Sequence, residues 1–281
     1  MNTNSLYLSV CQQCSSHVAG RYSTSFASAI RLLHKDLQAP ICAIYGFVRF
    51  ADEIVDTFLE HDQESLLRRF REDTWVALEE KISLNPVLHA FQETVHRFRI
   101  DRELIEAFFQ SMEMDLSKKQ YQARQELETY IYGSAEVVGL MCLYIFCEGD
   151  RKQYEALKEP ARALGAAFQK VNFLRDFGDD FRQLQRVYFP GLDLERFDEQ
   201  AKKTIEADIA ADFANAYEGI LQLPVKARFG VYVAYRYYLS LFGKICRLPP
   251  SLVLAKRIRI PNLKKLLIVA KAGVKNQLRL I

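Results

Sequence analysis

Apolar residues recur at helical spacing along nearly the whole chain, and no segment alternates convincingly between apolar and polar positions as a strand would. Pro, Gly, Asn or Asp interrupts the periodicity at most element ends, for example at Asn85-Pro86 and Pro249-Pro250. The pattern predicts an all-α protein in which one domain spans residues 1–281. The expected helices cover residues 5–19, 23–33, 37–60, 63–82, 86–98, 101–116, 126–148, 151–184, 198–221, 224–246 and 262–279.

Composition supports this prediction. The chain contains only 12 Gly and 8 Pro, whereas a β-rich fold needs turn residues more often. Apolar residues make up 49% of the 281 residues and charged residues 26%, which excludes a disordered or fibrous chain. The sequence therefore has enough apolar residues for a substantial core.

The longest apolar run extends from Tyr130 to Cys147 and approaches the ~20 residues that a membrane span needs. Glu136 lies within this run, and a charge at that depth would be costly in lipid. We interpret the run as a helix buried in the core and expect no integral membrane anchor.

The six cysteines are scattered, and the N-terminal residues show no secretory signal. Both features favour a location in a reducing cytoplasm. Cys11 and Cys14 lack a second Cys or His pair at zinc spacing, so we interpret them as structural thiols.

The predicted helix around residues 41–58 is apolar on nearly every side except for one polar stripe. Arg49, Asp52 and Asp56 fall on this stripe together with Tyr45. Two carboxylates one turn apart repel each other, and burying them is expensive unless a positive charge compensates.

A second apolar helix, around residues 164–181, repeats the arrangement. Its polar stripe consists of Gln169, Asn172, Asp176 and Asp180. Arg175 points well away from the stripe, so we expect it to be a poor partner for these acids.

Either acidic pair alone would be read as a solvated or salt-bridged face. Two such stripes facing each other across a bundle cavity would instead form a cage of hard oxygen ligands. Such ligands suit Mg²⁺, which often bridges protein carboxylates to substrate phosphates. The chemistry indicated is ionisation of a diphosphate in an apolar cavity, where aromatic rings could stabilise a carbocation.

Several motifs, taken in order, resemble the squalene/phytoene synthase family, and the bacterial phytoene synthases in particular. They are Ser23-Thr-Ser25-Phe26, Tyr45-Gly-Phe-Val-Arg49-Phe-Ala-Asp52-Glu53-Ile-Val-Asp56, Met112-Glu-Met-Asp115-Leu116, Tyr130-Ile-Tyr132-Gly-Ser-Ala135-Glu-Val-Val138-Gly139, Gln169-Lys-Val-Asn172-Phe-Leu-Arg175-Asp176-Phe-Gly-Asp179-Asp180 and Arg186-Val-Tyr188-Phe-Pro190. The resemblance covers about residues 23–265, and its specificity comes from the ordered set.

The resemblance implies an isoprenoid-synthase-type helical bundle with a central cavity. It also implies a Mg²⁺-dependent prenyltransferase, with Mn²⁺ as a substitute, that condenses two geranylgeranyl diphosphates head to head. A cyclopropyl diphosphate forms first and then rearranges to phytoene, a step in carotenoid biosynthesis. No NADPH is expected.

The same resemblance assigns roles to individual residues. The implied metal ligands are Asp52, Asp56, Asn172, Asp176 and Asp180. The implied catalytic residues are the four aspartates with Tyr45 and Tyr130. The implied substrate-binding residues are Ser23, Ser25, Phe26, Arg49, Gln169, Asn172, Arg186, Tyr188, Tyr238 and Arg257.

Some assignments stay open at this stage. Arg257 and Arg259 compete for one role in binding diphosphate, and Glu53 and Asp179 lie off their stripes. Asp115 belongs to one of the motifs that carry the resemblance, but it is equally well interpreted as a helix-end or salt-bridge residue.

Other functions remain as alternatives. The first is a farnesyl-diphosphate-using dehydrosqualene or presqualene diphosphate synthase, because cavity depth cannot be read from the sequence. A non-catalytic assembly protein of the same fold is the second. A chain-elongating prenyltransferase and a reductive squalene synthase fit less well.

The last acidic residue is Glu218, and 13 Lys and Arg follow it. Such a basic block is typical of contact with anionic lipid, nucleic acid or a phosphorylated ligand. We expect no nucleic-acid partner, because no recognition module is present.

The basic helix predicted at 262–279 is amphipathic. One face carries Leu263, Leu266, Leu267, Ala270, Val274, Leu278 and Ile281. Two hypotheses follow: this face packs against the bundle, or it rests on an anionic membrane, which would make a cytoplasmic protein peripheral at the inner face of the membrane.

Overall fold

The computed structural model describes residues 3–184, 186–192, 197–255, 257–278 and 280–281. Within these residues the chain forms thirteen α-helices and one π-helical turn. The helices are α1 (Thr3–Tyr22), α2 (Thr24–Ile30), α3 (Lys35–Asp56), α4 (Gln63–Glu80), α5 (Pro86–Phe98), α6 (Arg102–Ser117), α7 (Arg124–Ile131), α8 (Val137–Phe146), α9 (Arg151–Leu184), α10 (Glu199–Gln222), α11 (Val225–Ile245), α12 (Pro250–Ala255) and α13 (Asn262–Gln277).

The all-α prediction is confirmed, and most predicted helices have an observed counterpart that differs by a few residues. The predicted helix at 126–148 is divided, because the π-helical turn Tyr132–Glu136 separates α7 from α8. The short α12 was not predicted. The predicted last residue of the C-terminal helix, Arg279, lies outside the described residues.

Local capping explains several helix starts. The Asn85 side chain accepts hydrogen bonds from the backbone N–H groups of Val87 and Leu88, and Pro86 occupies the first turn of α5. The Ser23 hydroxyl accepts a hydrogen bond from the Phe26 backbone N–H at 3.2 Å and caps α2. Ser23 is thereby fixed at the start of a helix.

The two longest neighbouring helices, α9 and α10, run antiparallel. Pro160 of α9 lies against Gly219 of α10, whereas Lys170 further along α9 bonds Asp212, at an Nζ–Oδ2 distance of 2.8 Å. A Cβ at Gly219 would approach the Pro160 Cβ to 2.2 Å, so glycine is needed for this close approach.

One stretch of the described residues, Arg124–Phe146, is long and apolar enough to cross a membrane by length and composition. In the structure, 61% of its most apolar window is buried inside the bundle. The stretch contains α7, the π-helical turn and α8, and its burial agrees with a core helix. All six cysteines are free thiols.

Candidate active site

A cavity of about 790 Å³ lies inside the bundle, within the usual size range of ligand sites. Along α9, its lining changes from apolar at Leu157 and Leu164 to polar at Gln169 and beyond. From Leu157 to Asp176 the helix rises about 28 Å at 1.5 Å per residue. The cavity is therefore elongated, with one apolar end and one charged end.

The charged end has more acids than bases. Among the described residues, six aspartates and four arginines line the cavity. They are Asp52, Asp56, Asp115, Asp176, Asp179, Asp180, Arg49, Arg175, Arg186 and Arg257. This excess of negative charge makes the site suitable for a cation.

The first acidic row comes from the last turns of α3. The Arg49 guanidinium bonds Glu53 and lies 4.0 Å from the Asp52 carboxylate. About a third of the Asp52 side chain is exposed where it lines the cavity, and the rest is buried in the bundle. Burial and the nearby Asp56 carboxylate raise the pKa of Asp52 to about 7.

The second acidic row comes from the C-terminal half of α9. Arg257 lies with its Nε 2.9 Å from the Asp176 carboxylate. Arg175 also bonds Asp176, through its Nε at 2.9 Å, so the expectation that Arg175 is a poor partner is wrong. The long Arg175 side chain bends towards the following residue, Asp176, although the Arg175 Cα lies off the stripe.

Arg186 connects the two rows from a segment that returns after α9. Its backbone N–H donates to the Asp180 carbonyl, and the following N–H of Val187 donates to the Lys119 carbonyl. This contact, which includes an isolated parallel bridge to residue 120, directs the Arg186 side chain inward. Its Nη1 donates to Asp56 at 2.7 Å, while the side chain is only 7% exposed.

Asp115 is a charged cavity residue that the site assignments omitted, as are Arg175 and Asp179. The Tyr130 hydroxyl donates to its Oδ2 at 2.9 Å, and the Arg186 Nη1 lies 3.6 Å from its Oδ1. Burial raises the pKa of Asp115 to about 7, although Arg186 acts in the opposite direction. Asp115 falls on the same face of α6 as Phe108 and Met112, so an acid on an apolar face was the available signal.

Two groups of aromatic rings line the charged half of the cavity. In one, Phe168 stacks on Tyr238 with ring centroids 3.8 Å apart, and Phe26 lies 6.1 Å from Tyr45. The Tyr238 hydroxyl donates to Asn172 at 3.3 Å, which fixes the amide. This group presents π faces where the polar lining begins.

In the second group, Phe173 stacks on Tyr188 with ring centroids 3.9 Å apart, and Tyr130 lies 5.7 Å from Tyr188. Burial raises the pKa of Tyr188 and of Tyr130 well above 10, so both hydroxyls stay neutral. The faces of both groups could stabilise positive charge that develops inside the cavity.

All but one of the predicted site residues line this cavity. The exception is Ser25, which is absent from the lining and whose carbonyl accepts a hydrogen bond from Ser28 at 3.0 Å. Arg257 lines the cavity, whereas the Arg259 carbonyl accepts from Lys244. Of these two arginines, the geometry favours Arg257 for the site.

The donor set fits Mg²⁺ chemically, because the lining carboxylates are hard oxygen ligands and outnumber the lining arginines. In the part of the chain that the structure describes, no three His, Cys, Asp or Glu side chains come close enough to hold an ion alone. A closed cage therefore does not form. Mg²⁺ is commonly held by one or two carboxylates, with waters and substrate phosphates completing its coordination.

We expect Asp180→Asn to stabilise the fold at high pH. Burial, Asp176 and Asp56 raise the pKa of Asp180 from 3.8 to about 7, so the folded protein binds this proton more tightly than the unfolded chain. This contribution favours folding at low pH and is lost as the pH rises through 7. Urea unfolding without metal should show a gain on the order of 1 to 3 kcal/mol near pH 8.

The gain should shrink near about pH 4, where the carboxyl is protonated in the folded state. Asp179→Asn is the matched control, because the Asp179 side chain is 38% exposed and bonds Arg182 at 2.9 Å. An equal gain at both pH values, or a loss at high pH, would contradict the electrostatic cause.

Comparison with known proteins identifies relatives of this chain. The family model for squalene/phytoene synthases matches residues 19–264. A phytoene synthase from Arthrospira platensis is 29% identical over 300 residues, which cover 95% of this chain and 92% of the relative. The chloroplastic phytoene synthase 3 of Zea mays is 29% identical over 92% of this chain, which spans 64% of that relative's length.

The fold agrees with this match. A solved dehydrosqualene synthase superposes with a TM-score of 0.81 at 21% identity, covering 96% of this chain and 98% of that one. The family match extends from α1 to α13 and contains every lining residue of the charged end. We conclude that the chain belongs to the squalene/phytoene synthase family.

Proposed function

We propose that the protein is a phytoene synthase that condenses two geranylgeranyl diphosphates head to head. The observation that carries this proposal is the joining of a charged end, an aromatic zone and a long apolar end in one cavity. Relatives named phytoene synthase support the choice of substrate. A prenyl diphosphate has the same sequence of chemical parts: an anionic head, an allylic carbon and an apolar tail.

The arginines at the charged end would bind and neutralise the diphosphate oxygens. Arg186 is rigidly held by Asp56 and by the Asp115 carbonyl, whereas Arg49 and Arg257 are more exposed at the cavity edge. Mg²⁺, held by Asp52, Asp56, Asn172, Asp176 and Asp180, would supply additional positive charge to the leaving diphosphate.

The apolar end would exclude water from the allylic cation once the diphosphate has left. The aromatic faces of Phe168, Tyr238, Phe173 and Tyr188 would lie beside that cation. Attack by the double bond of the second substrate, with loss of a proton, gives the cyclopropyl diphosphate. Loss of the second diphosphate, rearrangement and loss of another proton give the polyene without a reductant, so no NADPH is required.

A farnesyl-diphosphate-using dehydrosqualene synthase is the second candidate, and the solved neighbour of that name favours it. The chemistry at the charged end would be the same for both substrates. They differ only in how far the tail extends into the apolar end. We also propose that the protein is located in the cytoplasm, as predicted from the sequence.

The deciding experiment supplies purified protein and Mg²⁺ with geranylgeranyl or farnesyl diphosphate, separately. We expect diphosphate release and an extractable phytoene from the geranylgeranyl substrate. Turnover of the farnesyl substrate alone would replace the proposal with the dehydrosqualene alternative. No diphosphate release from either substrate would favour the non-catalytic assembly protein.

A further inference from the structure

Helix α13 turns its apolar face away from the bundle. The five residues Leu263, Leu266, Leu267, Val274 and Leu278 are between 53% and 71% exposed. Ile268 and Ala272 instead contact the rest of the protein. The expectation that the apolar face packs against the bundle is therefore wrong for most of its members, although Ile281 is buried.

A groove of about 310 Å³ lies beside this face, between α11 and α13. Its lining contains three cationic side chains, Arg236, Lys264 and Lys271, and no acid. Among the described residues, no carboxylate forms an ion pair with these three cations. Neither α11 nor α13 carries an acid, because no Asp or Glu follows Glu218 in the sequence.

The three cations provide donors for the oxygens of a phosphate group. The Ser240 hydroxyl beside them is buried from solvent, so it does not add an accessible donor.

We propose that the α11–α13 groove and the exposed face of α13 form a binding site for an anionic phospholipid at a membrane surface. The phosphate group would lie in the groove, and the exposed leucines would enter the boundary of the acyl chains. A soluble anion would leave the apolar face uncovered. A second copy of the same face would bring like charges together, which is unfavourable.

The position of α13 relates this surface to the cavity. Lys265 Nζ donates to the Thr24 hydroxyl at 2.8 Å, so the start of α13 is attached to the start of α2. Tyr22 and Ser23, which directly precede α2, line the cavity, and Tyr22 is 49% exposed. A membrane bound by α13 would therefore lie on the side where the cavity reaches the surface.

Vesicle flotation of the full chain tests the proposal. We expect binding to vesicles of phosphatidylcholine with phosphatidylglycerol, little binding to phosphatidylcholine alone, and weaker binding at high salt. Lys264→Gln with Lys271→Gln should lower the partition coefficient about tenfold or more, since each charge near an anionic surface contributes. Leu263→Ser with Leu266→Ser should lower it by a similar factor.

Matched controls remove the same groups elsewhere. Lys152→Gln with Lys203→Gln removes two exposed lysines, and Leu84→Ser with Val225→Ser removes two exposed apolar side chains. Both controls should bind the anionic vesicles as the unmodified chain does. Turnover of a detergent-solubilised prenyl diphosphate should not change in any variant, so a failure of the proposed function is distinguished from a failure of this proposal.

Four results would overturn the proposal. One is equal vesicle binding by the test and control variants. Another is equal binding to neutral and anionic vesicles. The third is a concentration-dependent dimer, detected by light scattering, that the leucine variant abolishes while vesicle binding is absent. The fourth is binding of inorganic phosphate to the groove while no vesicle binds, which would assign the site to a soluble anion.

Discussion

Asp52→Asn is expected to lower turnover of the prenyl diphosphate substrate about a hundredfold or more while the protein stays folded. The substitution removes one carboxylate from a row proposed to hold Mg²⁺, and stabilisation of developing charge by a metal is typically several kcal/mol. It changes the side-chain volume little. Initial rates of diphosphate release at saturating Mg²⁺ measure the effect.

The contact between Asp52 and arginine is longer than those of Asp56 and Asp176, so the substitution of Asp52 is easier to interpret. Asp56 and Asp176 each accept a hydrogen bond from an arginine, so their removal would also leave a guanidinium without its partner. Among the described residues, the ion-pair partner of Asp52 is the Arg49 guanidinium, at 4.0 Å. A loss of activity in this variant can therefore be assigned to the missing carboxylate.

Asp36→Asn on the same helix is the matched control. Asp36 lies in the first turn of α3, its side chain is 47% exposed, and within the described part of the chain its ion pair is with His34. Its rate should be close to that of the unmodified protein. If Asp52→Asn keeps more than about a tenth of the activity, while circular dichroism shows both variants folded, the acidic row does not have the proposed role.

Much of the fold follows from the sequence because long amphipathic helices carry a strong periodic signal. Helix α5 is an example, since Asn85 and Pro86 mark its start and Phe98 ends it within the predicted bounds. The sequence did not predict the π-helical turn at 132–136, because a π-helical turn leaves the composition of the apolar run unchanged. The six-residue α12 is too short for a periodic signal.

The charged end of the site was anticipated where spacing along one helix determines position. Stripes at i and i+4 place Asp52 with Asp56, and Asp176 with Asp180, on common faces. Contacts made by long side chains, or by a segment that returns to the bundle after a helix, could not be predicted from spacing along one helix. Arg175 curls back to its neighbour, and Arg186 reaches Asp56 only because the segment after α9 contacts residues 119–121.

Helix α13 shows a different limit. The periodicity correctly identified an apolar face, but it could not show which surface covers that face. In the structure, Ala272 and Ile268 make the contact with the bundle, and the leucines face outward. Small side chains such as Ala272 permit close approach of helices, whereas the periodic pattern gives most weight to large ones.

The length of the substrate tail should be determined by residues at the apolar end, and Ala216 of α10 is placed to test this. Because α9 and α10 are antiparallel, Gly219 lies beside Pro160 and Phe213 lies beside Phe168, so Ala216 is level with the middle of the apolar lining. Ala216 is 1% exposed to solvent and lines the cavity. A larger side chain there would reduce the depth available to a tail.

We expect Ala216→Phe to lower geranylgeranyl turnover at least about tenfold while farnesyl turnover is kept or increased. The physical reason is overpacking: an added ring clashes with the last isoprene unit of the longer tail, and such clashes typically cost about 1 to 3 kcal/mol. Competition between the two substrates, with the hydrocarbons separated and identified, measures the change in specificity as a ratio of kcat/KM.

Ala214→Phe is the matched control, because Ala214 is exposed on the same helix and the added ring would point away from the cavity. Its substrate ratio should equal that of the unmodified protein. Farnesyl turnover by Ala216→Phe shows that the charged end is intact, and Ala216→Leu provides a smaller insertion if the phenylalanine variant does not fold. If turnover of both substrates falls equally in a folded variant, the apolar end does not determine which tail length is accepted. If neither loses activity, the tails do not extend past Ala216.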